Sequence, residues 1–373
     1  MTTPSNIPPR QPATRVRVAG PGDLLAVVPR LLGFTPERSL VVLGLKGDRG
    51  RIEMAMRYDL PPAAEPADIA EHAAYTLTRA QVPRTVAIGY GTGPEVTPAM
   101  DAVRARAGEA GVQVHEALRV DEGRYWSYLC EDPACHPVEG TPLGPELLQA
   151  GQLNTVGYAR PRREDLAASI APVTGEREEE MREAYRKAAA EVREQFCTGG
   201  REALWTTGVQ TVSSVINAYR EGGEPGDQDL ARVGVYLRDI RVRDAAWAQM
   251  HVQHATAHTR MWADATRVAP PRFAAAPASL MAFTAYQQGQ GAMANIALDR
   301  AEEDQPGYAM AGLVRQVVNT GISPTELTPP MTPQEVAASY GMTLPEPIAP
   351  SAAPHEPEPA QGAAPPAGFE AGS

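Results

Sequence analysis

The chain is expected to fold as an α/β unit, a mixed and partly parallel sheet with flanking helices, followed by an all-α unit and a disordered C-terminal tail. Three observations carry this expectation. Short apolar runs alternate with amphipathic stretches up to about residue 145. Helical patterns without a convincing strand follow from Leu147. The end is rich in proline and alanine, with four glutamates and no Lys or Arg from Leu344 onward. Strand patterns interleaved with helical ones mark an α/β sheet, and 373 residues suit two folded units.

The first ten residues, polar and rich in proline, read as a frayed arm, so residues 1–14 are set apart and the α/β unit is placed at 15–145. In "GPGDLLAVVPRLLGF", Asp23 is a candidate helix cap before Leu24, Leu25, Val28, Leu31 and Leu32, and Gly33 closes the helix. "SLVVLGL" (39–45) reads as a buried strand. "RIEMAMRYDL" (51–60) alternates Ile52, Met54, Met56 and Tyr58 with polar or small neighbours, so it is a second strand joined by a hairpin turn. The order then runs helix in "EPADIAEHAAYTLTRAQ", strand in "TVAIGYG", helix in "EVTPAMDAVRARAGEAG", strand in "VQVHEALRV", and an antiparallel edge strand in "GRYWSYLC".

The helical unit is placed at 146–342. "EREEEMREAYRKAAAEVREQF" carries Glu178–Arg182 and Glu183–Lys187 pairs and few large apolar residues, which suits a solvated helix bracing the two halves. Trp247 and Trp262 read as core, and Arg238, Asp239, Arg241, Arg243 and Asp244 as an ion-pair network. Tyr286, Gly289, Ala294, Ala301 and Pro306 are spaced like a single tetratricopeptide helix hairpin, one residue short in the turn; a solenoid needs about three repeats. The tail, 343–373, has too little apolar surface to offset the entropy of ordering.

Composition narrows the partners. A formal charge of −11 opposes attraction to phosphate backbones or anionic lipid, so nucleic acid and membrane are not expected partners. No apolar run approaches the roughly 18 residues of a membrane span, and the first residues lack the apolar stretch of a secretory signal. Three cysteines in so long a chain fit reduced thiols and a cytoplasmic location. The helical unit is expected to bind a protein partner or a second copy of the chain.

Several groups could carry chemistry. "LCEDPACHPVEGTP" brings Cys130, Cys135 and His136 together as soft metal ligands, but a structural zinc needs four ligands and no second paired motif lies nearby; a proline-shaped turn is the competing reading, and it is preferred. "GYGTGPEV" places Gly89, Gly91 and Gly93 between a strand and a helix, where free N–H groups can hold an anion. The spacing matches neither the dinucleotide nor the phosphate-loop signature, and Pro94 removes a donor. Asp59 would join that loop at the carboxyl ends of the strands, where open α/β sheets bind ligands. His251, His254 and His258 would fall within about 60° on one helix, a metal face or simply a polar stripe. No catalytic triad, carboxylate dyad or cofactor motif is complete. A non-catalytic interaction protein is therefore the leading expectation, and a small-molecule binder or enzyme with its site at the strand ends the alternative.

"GPGDLLAVVPRLLGFTPERSLVVLGL", "RYDLP", "RYWSYLCEDPACHPVEGTP", "RDAAWAQM" and "AYQQGQGAMANIALDRA" together resemble an actinobacterial family known only as a domain of unknown function, over roughly Val16 to Pro324. The resemblance implies no activity. It does imply that a cysteine often stands where this chain has His136, a departure that would keep a soft ligand at that place.

Overall fold

The computed structural model describes residues 20–47, 50–60, 65–130, 132, 137–144, 162–322, 324 and 326–346. Helix α1 (Pro21–Leu32) begins with proline at its first position, where the missing N–H costs nothing, and ends on Gly33 at φ 81. Gly20 is its cap; Asp23, expected there, lies in the first turn, still favourable for the helix dipole.

A six-stranded sheet follows in the order β2-β1-β3-β4-β5-β6. Its strands are β1 (Ser39–Lys46), β2 (Arg51–Asp59), β3 (Arg84–Tyr90), β4 (Gln113–Asp121), β5 (Arg124–Ser127) and β6 (Thr141–Pro142). Only β3 and β4 run parallel, as the intervening helix requires. Strand β5, expected at the edge, is covered by the two-residue β6, which the sequence pattern does not reveal because two residues have no period.

Alternation sorts the sheet into two faces. Leu40, Val42 and Ala87 pack under α2 (Pro66–Arg79) and α3 (Gly93–Glu109), while Val41, Leu43, Val86 and Ile88 pack under α1. Strand β2 is the outer edge, and the helical unit faces it.

That unit comprises α4 (Arg163–Ser169), the long α5 (Glu176–Arg220), α6 (Asp227–Tyr236), α7 (Ile240–Ala248), α8 (Ala255–Val268), α9 (Ala275–Gln287), α10 (Gly291–Asp304), α11 (Ala309–Asn319) and α12 (Pro333–Ser339). Helix α5 turns sharply at Gly200 (φ 64, ψ −153). Helices α6 and α7 are separate because the Asp239 side chain accepts the Arg241 N–H and caps a new start.

The expected hairpin is α9–α10. Asp304, at the end of α10, accepts the N–H groups of Arg272 (2.8 Å), Ala274 (3.0 Å) and Ala275 (2.9 Å), tying the start of α9 to its partner. Trp262 is fully buried and Trp247 stacks edge-on against Phe283 at 5.5 Å, so both tryptophans serve the core. Phe34, just after α1, belongs to this same helical core and joins the two units. Residues 342–346 continue along α5, where Trp205 Nε1 and Gln210 Nε2 donate to the carbonyls of Thr343 (2.8 Å) and Glu346 (3.1 Å).

Candidate functional site

The glycine loop and Asp59 do meet at one end of the sheet, because Asp59 and Tyr90 flank Ser39 on neighbouring strands. The donors of Gly91 and Thr92, however, are engaged. Gly91 N–H donates to Val120 O at 3.0 Å, and the Thr92 N–H and hydroxyl both donate to the Glu95 carboxylate, at 3.1 and 2.9 Å. Those hydrogen bonds from Thr92, with Arg38 at 3.1 Å, hold the Glu95 carboxyl below the usual range. The anion at this helix start is thus the chain's own. Two glycines have packing reasons: a Cβ on Gly89 would stand 2.1 Å from Val96, and Gly91 has φ +140. Asp59 is exposed and pairs with Arg57 at 2.6 Å.

Cys135 and His136 lie outside the described residues. Cys130 is a partly buried free thiol whose N–H donates to Ser127 Oγ at 3.3 Å. The chain returns at Val138, whose carbonyl accepts from Trp126 Nε1 at 3.0 Å, and Arg124 donates to Gly140 O at 2.8 Å. The Trp126 ring carries the Arg119 guanidinium 3.6 Å above it. The described residues after this segment are therefore held against Trp126 and its strand.

The histidines do not share a helix face: a 3₁₀ turn (Val252–His254) separates His251 from α8, whose N-cap is His254. His254 Nε2 meets Arg220 at 2.8 Å on the surface. His258 is 1% exposed, neither ring nitrogen makes a well-formed hydrogen bond, and burial pushes it down to about 4. The nearby Gln249 backbone only weakly opposes that shift. Among the described residues no group of three His, Cys, Asp or Glu side chains could hold a metal ion.

Between the two units lies a cleft of about 760 Å³. One wall is β2 and the middle and end of α2; the other is the turn into α10, α10 itself, the end of α11 and Arg163 at the start of α4. Two guanidinia converge in it on a single carboxylate, Arg163 at 3.1 Å and Arg315 at 2.8 Å from Asp299. Arg315 also reaches Asn295 Oδ1 at 3.4 Å. Asn295 and Asp299 are one helical turn apart on α10, which sets both polar groups on the same face.

The opposite wall offers Arg57, over the Phe34 ring at 5.6 Å, and a 2.8 Å hydrogen bond between the Tyr58 hydroxyl and His72 Nδ1. Burial raises Tyr58 far above a normal phenol, so its hydroxyl keeps the proton at neutral pH. Five cationic side chains and four carboxylates line the cleft, in a protein of charge −11. The remaining lining mixes polar side chains such as Tyr58, His72 and Asn319 with an apolar part that includes Met54, Met56 and Phe34. Gly321 presses so closely on Met54 and Thr76 that any side chain there would collide with both, which sets the width at that point.

Of the candidate site residues read from the sequence, only Asp59 lines this cleft. Arg57, Arg163, Asp299 and Arg315 were not singled out. The available signal was "AMANIALDRA", where Asn295 and Asp299 interrupt a stretch of small and apolar residues at helical spacing.

The family model described as Domain of unknown function (DUF4192) matches residues 21–325, and the chain belongs to that family. No curated protein and no solved structure matches. Among the described residues no helix is long and apolar enough to cross a membrane.

Proposed function

We propose that this DUF4192 protein is a cytoplasmic ligand-binding protein, its α/β unit at 15–145 and its helical unit at 146–342 forming the two walls of the site. The ligand is an anion with an apolar portion. The observation that carries the reading is the Arg163–Asp299–Arg315 arrangement, in which one carboxylate orients two guanidinia side by side. Two cations on one anion leave a unit of positive charge facing the cleft, and guanidinium forks are suited to carboxylate or phosphate. Met54, Met56 and Phe34 supply the apolar surface that such pockets generally provide. The site adjoins the carboxyl end of β2 but extends along the strand rather than across the glycine loop.

A protein-interaction role is the second reading, and the free outer edge of β2 inside the same cleft favours it. A thermal-shift panel of small carboxylates, phosphates and short peptides tests the site. A ligand at one hundred times its Kd should stabilise the protein by about 2.7 kcal/mol. Replacing Gly291, whose absent Cβ has nothing within 4 Å, by leucine should fill the cleft and abolish the shift without harming the fold. An equal shift in Gly291→Leu would place the ligand elsewhere.

A further inference from the structure

We propose that the ligand of the cleft is an extended peptide that pairs with β2 as a seventh strand and offers a carboxylate to Arg163 and Arg315. This rests on the cleft being the ligand site. Strand β2 ends the sheet, with β1 on one side only. Alternate residues of an edge strand direct N–H and C=O groups outward. Among the described residues, no backbone or side-chain hydrogen bond reaches those outward groups between Ile52 and Tyr58.

An open edge of nine residues is a hazard that chains suppress with charge or cover. Here both devices are partial. The ion pairs Arg51–Glu53 (2.7 Å) and Arg57–Asp59 (2.6 Å) guard the two ends and leave Met54, Ala55 and Met56 between them. The helical wall touches the strand side at Gly321, yet elsewhere its lining includes Gly289, Gly291 and Ala292, and a Cβ on either glycine would meet nothing within 4 Å, so the cleft is open there. Bulky side chains would seal an edge; small ones leave room for a backbone, which needs about 4.8 Å between strands. Main-chain pairing would give affinity with little sequence demand, and the methionines would take side chains of alternate residues.

Charge fixes the direction. Arg162 pairs with Glu37 at 3.6 Å, just ahead of β1, so the start of α4 sits at the Asp59 end of β2. A peptide whose C-terminal carboxylate meets Arg163 and Arg315 therefore runs parallel to β2; an acidic side chain near that end supplies the same chemistry.

The full chain is panned against a degenerate hexapeptide library, half with free and half with amidated C-termini, and hits are measured by fluorescence anisotropy. Binding should fall at least tenfold on N-methylating alternate residues of one parity and little on the other, and should be lost in Gly291→Leu. Affinity of carboxylate-bearing hits should fall at least tenfold in Arg315→Ala. Free-terminus hits identify the terminal carboxylate, and amidated hits carrying Asp or Glu identify a side chain. Equal sensitivity at both parities overturns strand pairing, and hits without any carboxylate overturn the role of the guanidinia. Anionic small molecules that bind in a Gly291-dependent way when no peptide does would refute the peptide and leave the cleft; failure of both classes would refute the cleft as well.

Discussion

The glycine loop and the cleft are two ways of offering positive charge to an anion, and they differ in what already occupies them. At the loop, the N–H and hydroxyl of Thr92 at a helix start close on Glu95, a residue of the same helix. In the cleft, Asp299 also stands between cations, but two guanidinia share it and it is half-exposed. A cap filled by its own carboxylate serves folding, whereas cations left under-neutralised are what the proposed function takes to hold a ligand. Proximity of donors does not distinguish them; the count of charges does.

The contrast can be sharpened first in acid, where the wall behind the cleft should weaken before the loop does. Buried His258 belongs to α8, which is joined to α9 through Thr259 and Thr284 (3.0 Å) and through Gln288 and Thr259 (2.6 Å). Its folded value near 4 lies below the ordinary 6.5, because burial and then the charge of Arg220 favour the neutral ring. The contribution to stability is complete above pH 6.5 and is lost as pH falls towards 4, about 2.5 kcal/mol by pH 4.5. Urea midpoints at pH 7.5 and 4.5 should differ by that much more in the wild type than in His258→Met. A pH dependence unaltered by that substitution would show that the histidine is not the group responsible.

A smaller effect is expected at the shared carboxylate. Asp299→Asn retains hydrogen-bonding oxygen while removing the competing charge, so affinity for an anionic ligand should rise severalfold, about 1 kcal/mol. A fall in titration calorimetry would mean that the carboxylate matters more for holding the guanidinia than for opposing the ligand. The smallest change concerns the chain end. Removing 347–373, a stretch of proline, alanine and glutamate with few apolar residues, should move Tm by less than about a degree. A loss of several degrees would contradict that.

The fold was largely legible because its signals are local. Leu40–Leu45, the alternation from Ile52 to Tyr58 and Gly33 each act within a few residues, and the corresponding elements form where expected. The break between α6 and α7 is not visible in the helical pattern, because one aspartate cap at Asp239 outweighs that pattern on both sides. The histidine face failed for a similar reason, a 3₁₀ turn inserted before α8. The cleft was hidden by distance along the chain: Arg57, Arg163 and Arg315 come from a strand and two helices that only packing brings together. Asp59 was found because it ends a strand, a position readable from pattern alone.

The central claim, that the cleft and not the glycine loop binds the ligand, is tested most directly by titrating one hit from the ligand panel into wild type, Arg315→Ala and Thr92→Ala. Arg315→Ala should weaken binding at least tenfold, about 1.4 kcal/mol, through loss of a charge-assisted contact. Thr92→Ala should cost about 1 kcal/mol of stability as a lost cap and leave the affinity unchanged. Unchanged affinity in Arg315→Ala together with a loss in Thr92→Ala would contradict the account and return the site to the loop.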